Sequence, residues 1–214
     1  MQADLGPIAV QNEAEKSRLG SSRCAAALGS KISSVTNTKS EKPILYIFSG
    51  LPGSGKTTLS QRVAQRIHAV YLRIDTIEQA LRELCSVDVQ GEGYRLAYRI
   101  AADNLRLGMS VVADSCNPIE LTRREWEQVA LGAQAEYVNI EVICSDACEH
   151  RLRVETRLST VSGLRLPTWR EVENREYHDW TVDRIVIDTA NRPEVECVAD
   201  LLSKLSRWRA SPGG

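Results

Sequence analysis

Ile44-Leu45-Tyr46-Ile47-Phe48-Ser49-Gly50-Leu51-Pro52-Gly53-Ser54-Gly55-Lys56-Thr57 runs an apolar segment directly into a complete GxxxxGK(S/T) string. The spelling is that of a phosphate-binding loop. Glycines let successive backbone N–H groups curl round an anionic oxygen without side-chain clash, Lys56 reaches the β- and γ-phosphates of a nucleotide, and the Thr57 hydroxyl ligates Mg2+. A helix opening near Lys56 adds the positive end of its dipole. The flanks agree with this reading: a continuous apolar strand precedes the loop, and Leu59, Val63 and Ile67 follow at i, i+4 and i+8 on one helical face. Gly50, Leu51, Pro52, Gly53, Ser54, Gly55, Lys56, Thr57 and Thr58 are therefore the expected nucleotide-binding set.

Outward from the loop, strand-like and helix-like segments alternate. After the first strand (44–49) come strand patterns over 69–74, 109–113, 136–144 and 185–187. Between and after them lie helical patterns over 56–68, 76–84, 94–107, 121–131, 146–158, 169–180 and 193–208. Five strands interleaved with helices imply an α/β fold with a parallel sheet covered on both faces. Gly108 ends the 94–107 helix in the manner of a C-terminal glycine. The stretch 159–167 breaks the helical pattern between two helices and is expected to act as part of a lid spanning about 151–180.

Residues 1–42 contain no aromatic residue and are rich in Ser, Ala, Gly, Lys and Glu, so they read as a flexible leader ahead of one domain, 43–214. Twenty-seven basic residues against 28 acidic ones leave no global field to attract nucleic acid or a membrane surface. The six cysteines lack the spacing of a metal site and read as reduced thiols. With no secretory core and no apolar run of spanning length, a cytoplasmic location is expected.

In open α/β sheets ligands bind beyond the carboxyl ends of the strands, which singles out two carboxylates. Asp75 follows the second strand and Asp114 the third. One would accept the proton of an attacking hydroxyl, and the other would serve Mg2+ through water or position the loop; either assignment suits the residues. The competing structural readings are a helix N-cap for Asp75 and a turn residue ahead of Asn117-Pro118 for Asp114. Cations for the transferred phosphoryl group are offered by Arg151, Arg153 and Arg157 in the helix after strand four, by Arg165 in the lid and by Arg175 beyond it. Arg151 and Arg157 are six apart and do not share a helical face. Trp169, Tyr177 and Trp180 fall on one face of the expected 169–180 helix and read as core packing, with an acceptor-pocket wall as the rival. His150 and His178 receive no role.

The phosphate loop, the aspartate after strand two, the Val-Val-Ala-Asp strand and an arginine-bearing segment before Pro167-Thr168-Trp169 resemble the small P-loop kinases of the zeta-toxin, chloramphenicol-phosphotransferase and polynucleotide 5′-kinase type, often labelled AAA-family ATPases. The resemblance covers about 43–205 and implies a P-loop NTPase three-layer sandwich with strand order 2-3-1-4-5, ATP with Mg2+, and γ-phosphate transfer to a hydroxyl. It implies Asp75 as general base, Arg151 and Arg157 as the lid arginines, and adenine near Thr189-Ala190-Asn191-Arg192; beside it the loop spelling and strand-end position leave Lys56 on the phosphates and Thr57 and Asp114 for the metal. Polynucleotide kinases of this type resemble the chain at the aspartate but carry an arginine where Glu78 stands here. That departure turns the expectation from a nucleic-acid end to a small-molecule hydroxyl. The alternatives are a nucleotide-regulated switch that binds a partner, and a nucleic-acid 5′-end kinase using Arg95, Arg99 and Arg106.

Overall fold

The computed structural model describes residues 42–211, and the expected leader lies almost wholly outside them. In chain order the elements are β1 (Ile44–Ser49), α1 (Lys56–Ile67), β2 (Val70–Arg73), α2 (Ile74–Cys85), α3 (Glu92–Arg106), β3 (Val111–Asp114), α4 (Glu120–Gly132), β4 (Glu136–Ile143), α5 (Ala147–Thr156), α6 (Trp169–Glu173), β5 (Ile185–Asp188) and α7 (Glu194–Ala210). The strands form one parallel sheet in the order β2-β3-β1-β4-β5, with β1 central between β3 and β4. Both the α/β class and the implied strand order are as the sequence leads one to expect.

β1 explains why the sheet needs two covers. Its side chains alternate between faces. Ile44, Tyr46 and Phe48 join Leu59 and Val63 of α1 and Leu201 and Leu205 of α7 in one core. Leu45 and Ile47 join Ala97, Ala101 and Leu105 of α3 and Trp126 and Ala130 of α4 in the other. All six β1 residues are buried, so a strand with either face polar could not occupy this position. Phe48 and Trp126, both fully buried, each contribute roughly 1.5–3 kcal/mol by leaving water.

Two expectations need correction. β2 stops at Arg73, and Asp75 lies within the first turn of α2 instead of just past a strand. The helix expected over 169–180 closes after five residues, at Glu173. Its continuation is pulled away by stronger partners. The His178 N–H donates to the Pro118 carbonyl at 2.8 Å, and the buried Arg123 guanidinium donates to the carbonyls of His178 (2.9 Å) and Asp179 (3.3 Å). Tyr177 and Trp180 lie on the faces of that guanidinium, at 4.9 and 4.1 Å from ring centroid to Cζ. These tertiary bonds outweigh the modest helix propensity of a Tyr-His-Asp-Trp run. Among the described residues, no helix is long and apolar enough to cross a membrane.

Candidate active site

The loop between β1 and α1 is held from three sides. Gly50 and Gly53 have φ of 144° and 87°, and Gly55, with φ 95°, caps α1. A Cβ on Gly50 would stand 2.2 Å from the Val142 carbonyl oxygen, and one on Gly53 would stand 2.6 Å from Val154 Cγ2, so close approach and positive φ both demand glycine. The Gly50 N–H donates to the Cys116 carbonyl (3.1 Å), and Asn117, fully buried at φ 45°, donates to the Phe48 carbonyl (3.0 Å). His150 Nε2 donates to the Pro52 carbonyl at 2.9 Å, while the Thr189 hydroxyl donates to the Ser54 carbonyl at 2.9 Å. The loop thus presents its N–H groups while its carbonyls are occupied from behind, the arrangement an anion site requires.

Lys56 borders two cavities. A cleft of about 400 Å3 runs from Gly55, Lys56 and Thr57 past Arg153 and Arg157 to Thr189 and Arg192. Thr58 lines it as well. A cavity of about 510 Å3 lies on the other side of Lys56, bounded by Asp75, Glu78 and Arg82 of α2, by Cys116, by Gly163, Leu164, Arg165 and Pro167, and by Arg175. Lys56, Thr57, Thr58, Arg157 and Arg192, all named from the sequence, line the cleft. Asp75 lines the second cavity, hydrogen-bonded to Arg73 of the cleft.

Asp75 does not cap its helix. The N-cap of α2 is Arg73, no side-chain cap bond forms, and the Asp75 carboxylate, 50 % exposed, accepts a hydrogen bond from Arg73 Nη2 at 3.4 Å. Its oxygens are left for a ligand. Asp114 is different: it ends β3 in register with Phe48 and Arg73, and its side chain is 1 % exposed and lines neither cavity. Oδ2 accepts from the Tyr71 hydroxyl at 2.7 Å, while Oδ1 is buried without a hydrogen-bond partner. Burial and the Asp114 charge together push the Tyr71 hydroxyl well above its ordinary value, so it stays a donor. The turn reading of Asp114 fails because Asn117 supplies the left-handed residue. The Thr57 hydroxyl and the unpartnered Asp114 Oδ1 are oxygen donors of the kind a hard cation would take.

Arg151 is a correction. It faces solvent, 60 % exposed, and pairs with Glu155 one turn on at 2.9 Å. Arg153 takes the position facing the cleft, donating to the Thr189 hydroxyl (2.7 Å) and carbonyl (2.9 Å) and pairing with Glu149 (2.6 Å). It is a strut between α5 and the segment after β5. The signal available in the sequence was spacing: Arg153 and Arg157 are four apart, whereas Arg151 and Arg157 are six apart. Arg157 follows the end of α5, where its Nε is buried without a partner and burial depresses its pKa. Arg73, missed by sequence reasoning, lines the cleft and donates to the Thr160 hydroxyl of the lid at 2.7 Å. The three aromatics do not share a helical face and do not line the acceptor-side cavity: Trp169 meets the His150 ring edge-on at 5.3 Å, and Tyr177 and Trp180 flank Arg123.

A five-stranded parallel sheet in the order 2-3-1-4-5, with a glycine-rich loop opening the helix after its central strand, defines the P-loop NTPase fold. A family model described as an AAA domain matches residues 45–167, and the chain belongs to that family. No curated protein sequence matches it. Among solved structures, a gluconokinase from Sinorhizobium meliloti 1021 is similar at TM-score 0.57 and 16 % identity, over 78 % of this chain and 94 % of that one. The Mycobacterium tuberculosis APS kinase CysC, in complex with AMPPNP and APS, is similar at TM-score 0.57 and 17 % identity, over 78 % and 99 %. Chaetomium thermophilum Kti12, in complex with ADP-AlF3, is similar at TM-score 0.56 and 19 % identity, over 79 % and 100 %.

Proposed function

We propose that the chain is an ATP-dependent phosphotransferase that moves the γ-phosphate of ATP to a hydroxyl of a small molecule. The observation that carries this reading is the position of Lys56 between two cavities, one beside the phosphate loop and one holding Asp75. A hydrolase needs room for a water; a transferase needs a second chamber. Solved structures similar to this one include a gluconokinase and an APS kinase, which supports the same reading.

In this mechanism the backbone N–H groups of Gly53–Thr57 and the Lys56 ammonium hold the β- and γ-phosphates, and the nucleoside lies along the cleft toward Thr189 and Arg192. Thr57 and Asp114 would hold Mg2+, which would supply charge neutralisation at the same phosphates. Asp75 accepts the proton of the acceptor hydroxyl as its oxygen bonds to the γ-phosphorus and the bond to the ADP oxygen breaks. Arg157, desolvated and with no hydrogen-bond partner at Nε, balances charge on the equatorial oxygens as the lid excludes water.

The test is ATP consumption against a panel of hydroxylated metabolites and antibiotics, with mass detection of the added phosphoryl group. Asp75→Asn is expected to lower transfer about 10²–10⁴-fold with ATP affinity within a few-fold, as loss of a general base does. Lys56→Ala is expected to weaken ATP binding as well as turnover. Vigorous ATP hydrolysis that no acceptor stimulates would overturn the transferase reading and favour a switch.

A further inference from the structure

The cavity on the Asp75 side of Lys56 carries four cations, Lys56, Arg82, Arg165 and Arg175, against two carboxylates, Asp75 and Glu78. Most of that charge is already matched. Arg82 pairs with Glu78 at 3.2 Å and Arg165 with Glu171 at 2.8 Å, while Asp75 faces Arg73 at 3.4 Å. Lys56 is committed to the donor phosphates in the reading above. Arg175 is the surplus: among the described residues no carboxylate lies within 4.0 Å of it, and its recorded side-chain contact is Nη1 to Cys116 Sγ at 3.8 Å. Burial chiefly lowers the Arg157 pKa, Asp75 raises it, and Arg73 and then Arg175 lower it, so Arg175 adds positive charge to a neighbourhood where Asp75 is the counter-charge.

The backbone that carries Arg175 is held on both sides. Ahead of it, α6 has a capping box between Thr168 and Glu171 and a buried Val172, and the Trp169 ring rests on His150, whose other contact is the Pro52 carbonyl of the phosphate loop. Behind it, Tyr177 and Trp180 are clamped on Arg123 and the Tyr177 hydroxyl donates to Glu141 at 3.1 Å. A cation without a partner, on backbone fixed relative to the phosphate loop, is a preorganised anion anchor. We propose that the acceptor is an alcohol that itself carries an oxyanion, and that Arg175 binds that oxyanion while Asp75 faces the hydroxyl. The inference rests on the phosphotransfer reading and adds the charge class of its substrate.

The test separates the two ideas. Wild type, Arg175→Gln and Arg151→Gln are first saturated with AMPPNP and Mg2+ and then titrated calorimetrically with inorganic sulfate and, separately, with acetate. The expected result is saturable oxyanion binding by wild type and Arg151→Gln that is at least about 10-fold weaker in Arg175→Gln, in keeping with loss of one charge-assisted contact. AMPPNP affinity should be equal in all three proteins, which also shows that the variants are folded. Tighter sulfate than acetate assigns a tetrahedral oxyanion; the reverse assigns a carboxylate. Absence of saturable binding of either anion, or equal affinity in Arg175→Gln, overturns the anchor while leaving phosphotransfer standing. Failure of AMPPNP to bind would defeat the phosphotransfer reading, and the anchor with it.

Discussion

Arg151 and Arg157 stand six residues apart and meet opposite surroundings: one spans to Glu155 in solvent, and the other buries its Nε beside the cleft with no hydrogen-bond partner. A surface i,i+4 pair is worth about 0.3–0.5 kcal/mol, whereas a desolvated cation near transferring phosphates acts at low dielectric. Arg157→Gln is therefore expected to lower kcat about 10–100-fold with melting temperature nearly unchanged, and Arg151→Gln to leave both as they are. Steady-state kinetics beside a thermal melt checks this, and equal kcat losses in the two variants would sink the assignment. The same pair shows how far sequence alone reaches. GxxxxGK(S/T) names its own residues because the chemistry needs that spelling, so Gly50 to Thr57 was legible. Which arginine faces inward depends on the phase and end of α5, and whether Asp75 caps a helix depends on β2 yielding to α2 one residue early. Charge type was visible; direction was not.

At the scale of elements, the long buried strands and amphipathic helices follow from periodicity, whereas α6 is made by contacts that periodicity does not encode. The apolar pattern of 169–180 suits a helix, yet Arg123, 55 residues before His178, claims the His178 and Asp179 carbonyls. What remains helical depends on its cap. Glu171 accepts from the Thr168 N–H at 2.8 Å and the Thr168 hydroxyl accepts from the Glu171 N–H at 3.3 Å. Hydrogen bonds from the Thr168 backbone, then Arg165, hold the Glu171 carboxyl down at about 2, below its ordinary 4.5. Because the folded value is the depressed one, the stabilisation is complete above pH 4.5 and is lost as pH falls through 2. The cap should thus be insensitive to pH across the neutral range. Thr168→Ala is expected to weaken α6 by about 1 kcal/mol, a several-fold faster hydrogen exchange at the Val172 and Asn174 amides. Turnover should fall while AMPPNP affinity holds, because α6 carries Trp169 and leads to Arg175 but does not line the nucleotide cleft. Unchanged exchange in Thr168→Ala would show that Val172 burial alone holds the helix.

For the whole molecule, β1 places one row of side chains in each core and then runs into the loop. β1 feeds it, α1 leaves it, and the segments after β3, β5 and within α5 each contribute a hydrogen bond or contact that fixes it. A ligand held there ties both faces of the sheet together, so its binding energy appears as global stability. At nucleotide concentrations about 100 times the Kd, that stabilisation is about 2.7 kcal/mol. For a domain of this size each kcal/mol moves the melting temperature by about 2–4 °C, so AMPPNP with Mg2+ should raise it by roughly 5–10 °C. Chelating the metal should remove part of that rise. Asp114→Asn separates the metal from the fold: the buried carboxylate loses its charge but keeps an acceptor for Tyr71, so the metal-free melt should shift little. If Asp114 serves Mg2+, the variant should keep the rise given by AMPPNP in EDTA and lose the extra increment that Mg2+ brings. A melt in which wild type and Asp114→Asn gain equally from Mg2+ would assign Asp114 to holding Tyr71 and the base of the loop, and would leave Thr57 and the phosphates as the metal's whole attachment.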